Sequence, residues 1–308
     1  MELFVRKKVF IVATMLLSML CMNGYAERKV IDNAVVDKHY GWFSVRGGYS
    51  ALLEKFDDIT TQGGCQFGVG GGYEYRYSWF YLSAGVDISY WSSNATTISY
   101  QFDRRMYDTQ GKLMTYHYEL DPSREHSYGF TAAVPFIVGV NYRGFYCGVG
   151  AIVGYHLLSM NQVTRPYTTS ATYEQYIEDF TDMPNHYYAN YIATNKEKLD
   201  LHFPVNLTAE IGYDVLYGYS YSSYSRDRVL KIGAYVEYSM VNAFRNKSDG
   251  SVFEINPEHP TQLLVYSYYR NKATTTNRVV PLSVGVKLTI MLRMPTRSCR
   301  CKDNFNFK

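Results

Sequence analysis

The sequence predicts an all-β chain: an eight-stranded antiparallel transmembrane β-barrel with short periplasmic turns and long extracellular loops. Three observations predict it. Eight runs alternate apolar and polar residues with a period of two. The connections between those runs alternate in length, as the two ends of an outer-membrane barrel require. The composition, with 32 Tyr, 16 Phe and 23 Gly in 308 residues, favours strands over helices. Tyrosine also suits a membrane interface, where its ring is buried and its hydroxyl stays wet.

The amino-terminal 26 residues read as a signal peptide. Arg6, Lys7 and Lys8 precede an apolar run from Val9 to Met22, and Asn23-Gly24-Tyr25-Ala26 supplies small residues for cleavage after Ala26. The apolar run is shorter than the ~20 residues a spanning helix needs. Leu20 in front of Cys21 argues against a lipoprotein signal. Residues 27–39 are then expected as a periplasmic segment, 40–292 as the barrel and 293–308 as a periplasmic tail.

The first run places Phe43, Val45, Gly47, Tyr49 and Ala51 on one face, with Trp42, Ser44, Arg46 and Gly48 on the other. The second, Cys65 to Tyr75, opposes its apolar parity with Gln66, Gly68, Gly70, Gly72, Glu74 and Arg76. The third runs from Phe80 to Tyr90 against Tyr81, Ser83, Gly85, Asp87 and Ser89. The fourth, Phe130 to Val140, opposes Thr131, Pro135, Gly139 and Asn141; the fifth, Phe145 to Tyr155, opposes Tyr146, Gly148, Gly150, Gly154 and His156. The sixth spans Leu201 to Tyr213 against His202, Asn206, Thr208 and Glu210. The seventh spans Leu230 to Tyr238 against Lys231, Tyr235 and Glu237, and the eighth Leu282 to Ile290 against Ser283, Lys287 and Thr289.

The apolar parity carries no charge in any run, as a lipid-facing band demands, whereas the other parity mixes small residues with isolated charges. A soluble sandwich or lipocalin-like barrel shares the alternation but has no reason to gather its long loops at one end. Runs two and three, and four and five, are joined by a few residues; three and four, five and six, and seven and eight are roughly forty apart. Apolar residues continue past run three through Ile98, Tyr100 and Phe102, and before run four through Tyr118, Tyr116 and Met114, around a turn at Thr109-Gln110-Gly111-Lys112. This predicts one long hairpin above the membrane, with two further spanning strands (ten in all) as its rival. Ser92, Asn94, Arg104 and Arg105 oppose the rival.

The stretches VPFIVGVNYRGFYCGVGAIVGY (Val134 to Tyr155) and IGAYVEYSMVNAF (Ile232 to Phe244) resemble the PorT-like outer-membrane β-barrel domains of Bacteroidetes, eight-stranded barrels of the outer-membrane protein A type. The resemblance covers runs four, five and seven, and implies the fold rather than a function. The tail RMPTRSCRCKDNFNFK after run eight departs from the terminal aromatic on which such barrels commonly finish.

An eight-stranded interior is wide enough only for side chains, so charges inside it must pair or neutralise. Arg46, Glu74, Arg76, Asp87, Glu210, Lys231, Glu237 and Lys287 form the expected interior charge network; a proton or ion path is the sharper reading of the same residues. In the fifth connection Tyr167, Tyr173, Tyr176, Tyr187, Tyr188 and Tyr191 form a candidate contact surface for a protein or glycan. Self-packing of a long loop explains them equally well.

No enzymatic activity is expected. His156, His202 and Ser159 lie near one rim without a motif joining nucleophile, base and orienting acid. The glycines from Gly68 to Gly72 lie inside a strand and lack the lysine of a phosphate loop. Cys65 and Cys147 fall in strands, and Cys299-Arg300-Cys301 has no second pair or histidine, so neither a disulfide scaffold nor a metal site is expected. No cofactor is implied, and a formal net charge of +3 gives no reason to expect nucleic acid. The expected partners are outer-membrane lipid, the barrel-assembly machinery during insertion, and a protein or glycan at the loops. The expected role in the bacterial outer membrane is structural or surface-binding, with an accessory part in a secretion or transport complex as the alternative.

Overall fold

A computed structural model describes residues 38–53, 58–107, 111–173, 187–217, 228–245, 251–256, 259–270 and 279–294. The signal peptide, Tyr176, Cys299 and Cys301 lie outside the described residues. Thirteen strands follow in chain order: β1 (Lys38–Leu53), β2 (Ile59–Tyr77), β3 (Phe80–Thr97), β4 (Tyr100–Tyr107), β5 (Leu113–Leu120), β6 (Arg124–Tyr142), β7 (Phe145–Tyr173), β8 (Tyr188–Lys198), β9 (Val205–Tyr217), β10 (Arg228–Ser239), β11 (Phe253–Ile255), β12 (Leu263–Val265) and β13 (Val280–Arg293).

Eight of them close an antiparallel hydrogen-bonded ring in the order β1-β2-β3-β6-β7-β9-β10-β13, with β13 returning to β1. These strands carry the eight alternating runs, and the β4–β5 hairpin lies outside the ring. Two tight turns join neighbours at one end. Arg143 and Gly144 both adopt positive φ (52° and 88°) between β6 and β7, the twist-matched geometry of a two-residue hairpin. Ser78, also at positive φ, and Trp79 join β2 to β3.

The alternation becomes a division of the ring wall into two faces. Phe43, Val69, Val86, Val138, Val149, Leu207 and Val286 stand exposed on the outside, while Ser44, Arg46, Glu74, Asp87 and Lys231 on the other parity are buried. The sixth run differs from expectation at its start. Leu201 forms an isolated bridge with Phe244, Pro204 accepts a hydrogen bond from Gly154 N, and the strand proper begins at Val205 and continues to Tyr217. Proline has no N–H to give to a ladder, so the strand starts after it.

β7, at 29 residues, runs beyond the ring. Its far half pairs with β5 on one edge and β8 on the other, and β4 pairs with β5, giving a four-stranded extension in the order β4-β5-β7-β8. The long hairpin is therefore present, in register with β3 and β6 beyond short breaks at residues 98–99 and 121–123. The facing of its apolar residues is a correction. Even-numbered residues point outward along β6, whereas Met114, Tyr116, Tyr118 and Leu120 are buried. The breaks reverse the parity, and an extra residue in β7 at Leu157 does the same there, leaving Leu157 and Leu158 both exposed. The hairpin's apolar face consequently packs against Val163, Ala171, Ile255, Leu263 and Val265. Phe253 from the small β11–β12 ladder stacks on Phe102 at 4.5 Å between ring centroids.

Candidate functional site

The interior of the ring holds the densest chemistry. Arg46 on β1 bonds Asp87 on β3 at 2.6 Å and Glu237 on β10. Gln66 extends this cluster, donating to Glu237 and accepting from the Tyr235 hydroxyl. Nearer the short-turn end, Arg76 on β2 bonds Glu74 at 2.6 Å and Asp214 on β9 at 2.8 Å, and Lys231 on β10 reaches the other oxygen of Glu74 at 3.0 Å. Lys287 on β13 bonds Glu210 on β9 at 2.6 Å. The structure thus brings all eight residues of the expected network into ion pairs, distributed over three clusters.

Strand spacing explains who pairs with whom. Apart from Arg76–Glu74 within β2, each ion pair joins strands that are not neighbours in the ring. Nearest inward positions on adjacent strands are commonly glycine, which leaves the long side chains room to lie across the lumen. Trp42 shows the fit. Its indole lies over Gly72 and Gly85, where an added Cβ would stand 2.7 and 2.5 Å from the ring carbon Cζ2. The cations are also seated on aromatic faces: Lys231 Nζ lies 4.3 Å from the ring centroids of both Tyr81 and Tyr146, and Arg76 lies over Tyr40 at 5.0 Å. A cavity of about 10 Å³ remains between Trp42, Glu74, Tyr81, Lys231 and Lys287, room for about one water molecule.

Asp214 also belongs to this network; it lies one residue beyond Tyr213, where the sixth alternating run ends in the sequence. Continuing its parity by one more step, Glu210, Gly212, Asp214, is the signal that finds it. Asn141 also donates to Asp214, at 2.6 Å.

Above the exposed apolar band, the connection from β10 to β13 forms a strap held by two carboxylates. Glu125, buried on β6, accepts from Tyr268 N at 2.7 Å, Ser267 Oγ at 2.9 Å and Asn161 Nδ2 at 3.2 Å. Glu197 on β8 accepts from Ser267 N at 2.9 Å. Tyr268, Tyr269, Phe244 and Val279 pack there against Leu52, Ile59 and Ala95. Burial, aided by nearby Glu197, raises the Glu125 carboxyl above the usual carboxylate range despite its hydrogen bonds. Burial correspondingly lowers Arg165, which donates to Thr97 Oγ1 at 2.5 Å.

The tyrosines of the candidate contact surface separate. Tyr187 and Tyr191 are exposed and Tyr173 is half-buried; the Tyr188 side chain lies outside the described residues. Tyr167 is corrected: at 1% exposure it is a core residue of the extension, its hydroxyl donating to Thr261 O and accepting from Leu263 N. The parity reversal in β7 turns it inward. His156 Nδ1 lies 2.9 Å from Thr131 Oγ1, and Ser159 is buried. Cys65 and Cys147 are free and exposed, and among the described residues no group of metal-ligating side chains gathers. A comparison with known protein families gives no match, and a comparison with curated proteins gives none.

Proposed function

We propose that the ring is a transmembrane β-barrel of the bacterial outer membrane, exported by its signal peptide, whose role is to hold the β4-β5-β7-β8 extension outside the cell as a binding surface. The observation that carries this reading is the inversion of the ring: its outer wall is a band of uncharged apolar side chains, while its charges pair inside. A soluble ring would place those groups the other way round, since an exposed apolar band of this extent is costly in water. The barrel is a support, filled by its own side chains, and no catalytic step is assigned to it. Tyr187 just before β8, and Tyr191 and Ile192 on it, are exposed and supply aromatic and apolar area suited to a protein or glycan partner.

Fractionation tests the location and surface labelling the orientation. Mature chain beginning at Glu27 should be found in the outer membrane, and a tag at Gly111, beyond β4, should be reachable on intact cells. A chain recovered from the soluble periplasm, or a Gly111 tag reachable only after lysis, would contradict the proposal. Affinity capture from native membranes through the extension separates a surface receptor from a stoichiometric member of a secretion complex.

A further inference from the structure

Among the described residues, the short-turn end of the ring differs in charge from the opposite end. Arg143 in the β6–β7 turn and Arg228 at the start of β10 are exposed there, with Lys38 and Arg293 half-buried at the start of β1 and the end of β13. Arg228 lies beside Leu292, and Arg293 beside Tyr40, so three of these cations occupy one arc over the adjacent strands β10, β13 and β1. The carboxylates nearest this end, Glu74 and Asp214, are buried and spent on Arg76 and Lys231. Among the described residues no exposed carboxylate lies at this end. The opposite end mixes both signs, with exposed Glu119, Asp121 and Asp200 beside Arg124, Lys196 and Arg245.

The cations also sit at a particular height. Tyr77, Trp79, Phe80, Tyr142 and Phe145 are exposed around the same end, and the Arg143 guanidinium lies over Tyr142 at 5.2 Å from its centroid. Such a belt of aromatic rings, three of them with a polar edge, marks the level of lipid headgroups. A guanidinium at that level meets a phosphodiester, whose two oxygens match its paired N–H groups.

We propose that this end binds anionic phospholipid headgroups of the leaflet it adjoins, with Arg143 and Arg228 as the principal contacts. The proposal rests on the membrane reading above and adds a lipid class and a leaflet. Charge complementarity selects the occupant: the exposed Arg143 and Arg228, with no exposed carboxylate at this end among the described residues, prefer a phosphodiester of net negative charge to a zwitterionic headgroup. Each cation at such a surface favours the anionic lipid on the order of fivefold, and salt screens the preference.

The test folds the full chain into vesicles of phosphatidylcholine containing a minor fraction of phosphatidylglycerol, and measures lipid contact with spin-labelled analogues of both. The wild type should enrich phosphatidylglycerol in its boundary layer at low salt and lose the enrichment at high salt. Arg143→Gln with Arg228→Gln should lose most of it, and Arg124→Gln with Arg245→Gln at the other end should keep it. No enrichment in the wild type, or enrichment abolished only by the second pair, overturns the proposal. Failure of the chain to insert even into pure phosphatidylcholine, read by protease protection, overturns instead the membrane reading beneath it. The wild-type salt response decides the matter if either double variant does not fold.

Discussion

Arg76 and Asp214 bond at 2.8 Å between β2 and β9, strands that stand opposite each other, four steps apart in either direction around the ring. Such a bond is a strut across the lumen. It ties together parts of the chain that the ladder connects only the long way round, and it gives the interior a reason to be charged. An apolar filling would pack equally well, but it would not select which strands face one another. Ion pairs that must each find a partner specify that arrangement.

The strut between Lys287 and Glu210, the one two-membered ion pair inside the described ring, tests this. Removing either partner alone, by Lys287→Met or Glu210→Gln, leaves a half-buried charge without its partner and should cost about 2–3 kcal/mol, less than a fully buried pair would. The double variant should cost clearly less than the sum, as denaturant unfolding in lipid micelles would record. Lys231 and Glu237 make a useful contrast. They belong to different clusters, Lys231 with Glu74 and Glu237 with Arg46, so Lys231→Met and Glu237→Gln should be close to additive.

The wall predicts an asymmetry between its faces. Val138 and Val286 are 53% and 49% exposed on the outside, and Thr131 is 8% exposed on the inside. Val138→Arg or Val286→Arg should cost roughly 2–4 kcal/mol of membrane-folded stability near the bilayer midplane and should be tolerated better in detergent, where the charge can reach water. Thr131→Arg should cost the same in both media, because crowding against His156 does not depend on what surrounds the wall. Equal behaviour of all three variants in lipid and detergent would contradict the facing of the strands.

Much of this architecture is legible in the sequence because a ring wall keeps one strict period. Eight uncharged parities gave the eight ring strands, and the opposite parity gave Arg46, Asp87, Lys231 and their partners. What is not legible depends on single residues that break the period. The extra residue at Leu157 and the breaks at 98–99 and 121–123 reverse the faces of β7, β4 and β5, so Tyr167 and Tyr118 read as surface or lipid-facing although they are core. Run six reads as starting at Leu201, four residues before the strand that Pro204 delays to Val205, and the strap around Tyr268 has no period at all. Its position is dictated by what Glu125 and Glu197 accept, and those partners are distant in sequence.

The strap should respond to pH through Glu125. Its carboxyl is raised in the folded state, so its contribution to docking is fully present below the ordinary glutamate value and is lost as pH rises through the raised one. The groups facing it are Asn161 and Arg165 from β7, Glu197 from β8, and Ser267 and Tyr268 from the strap itself. Hydrogen-exchange protection of residues 263–270 should therefore be greater in mild acid than in mild alkali, after correction for intrinsic rates. Glu125→Gln keeps an acceptor without the charge and should flatten the dependence. Stronger protection at the alkaline side in the wild type would show that the carboxylate's hydrogen bonds outweigh its burial.

Arg46, Arg76, Lys231 and Lys287 each reach across the lumen to a carboxylate, Trp42, Tyr81 and Tyr146 fill the space between them, and the described cavity there has about 10 Å³. Room for about one water is not a path for a hydrated ion. At the other end Phe244, Tyr268 and Tyr269 pack against Leu52, Ile59 and Ala95 of the ring wall. Wild-type protein in planar bilayers should accordingly give no steady current steps. Removing the strap contacts with Glu125→Ala should not open it, because the struts below remain. Opening should require loss of interior volume as well as of a strut, as in Trp42→Ala combined with Arg76→Ala. Porin-like steps from the wild type, or steps from the strap variant alone, would mean that the struts part in the membrane and that the interior is a gate rather than a filling.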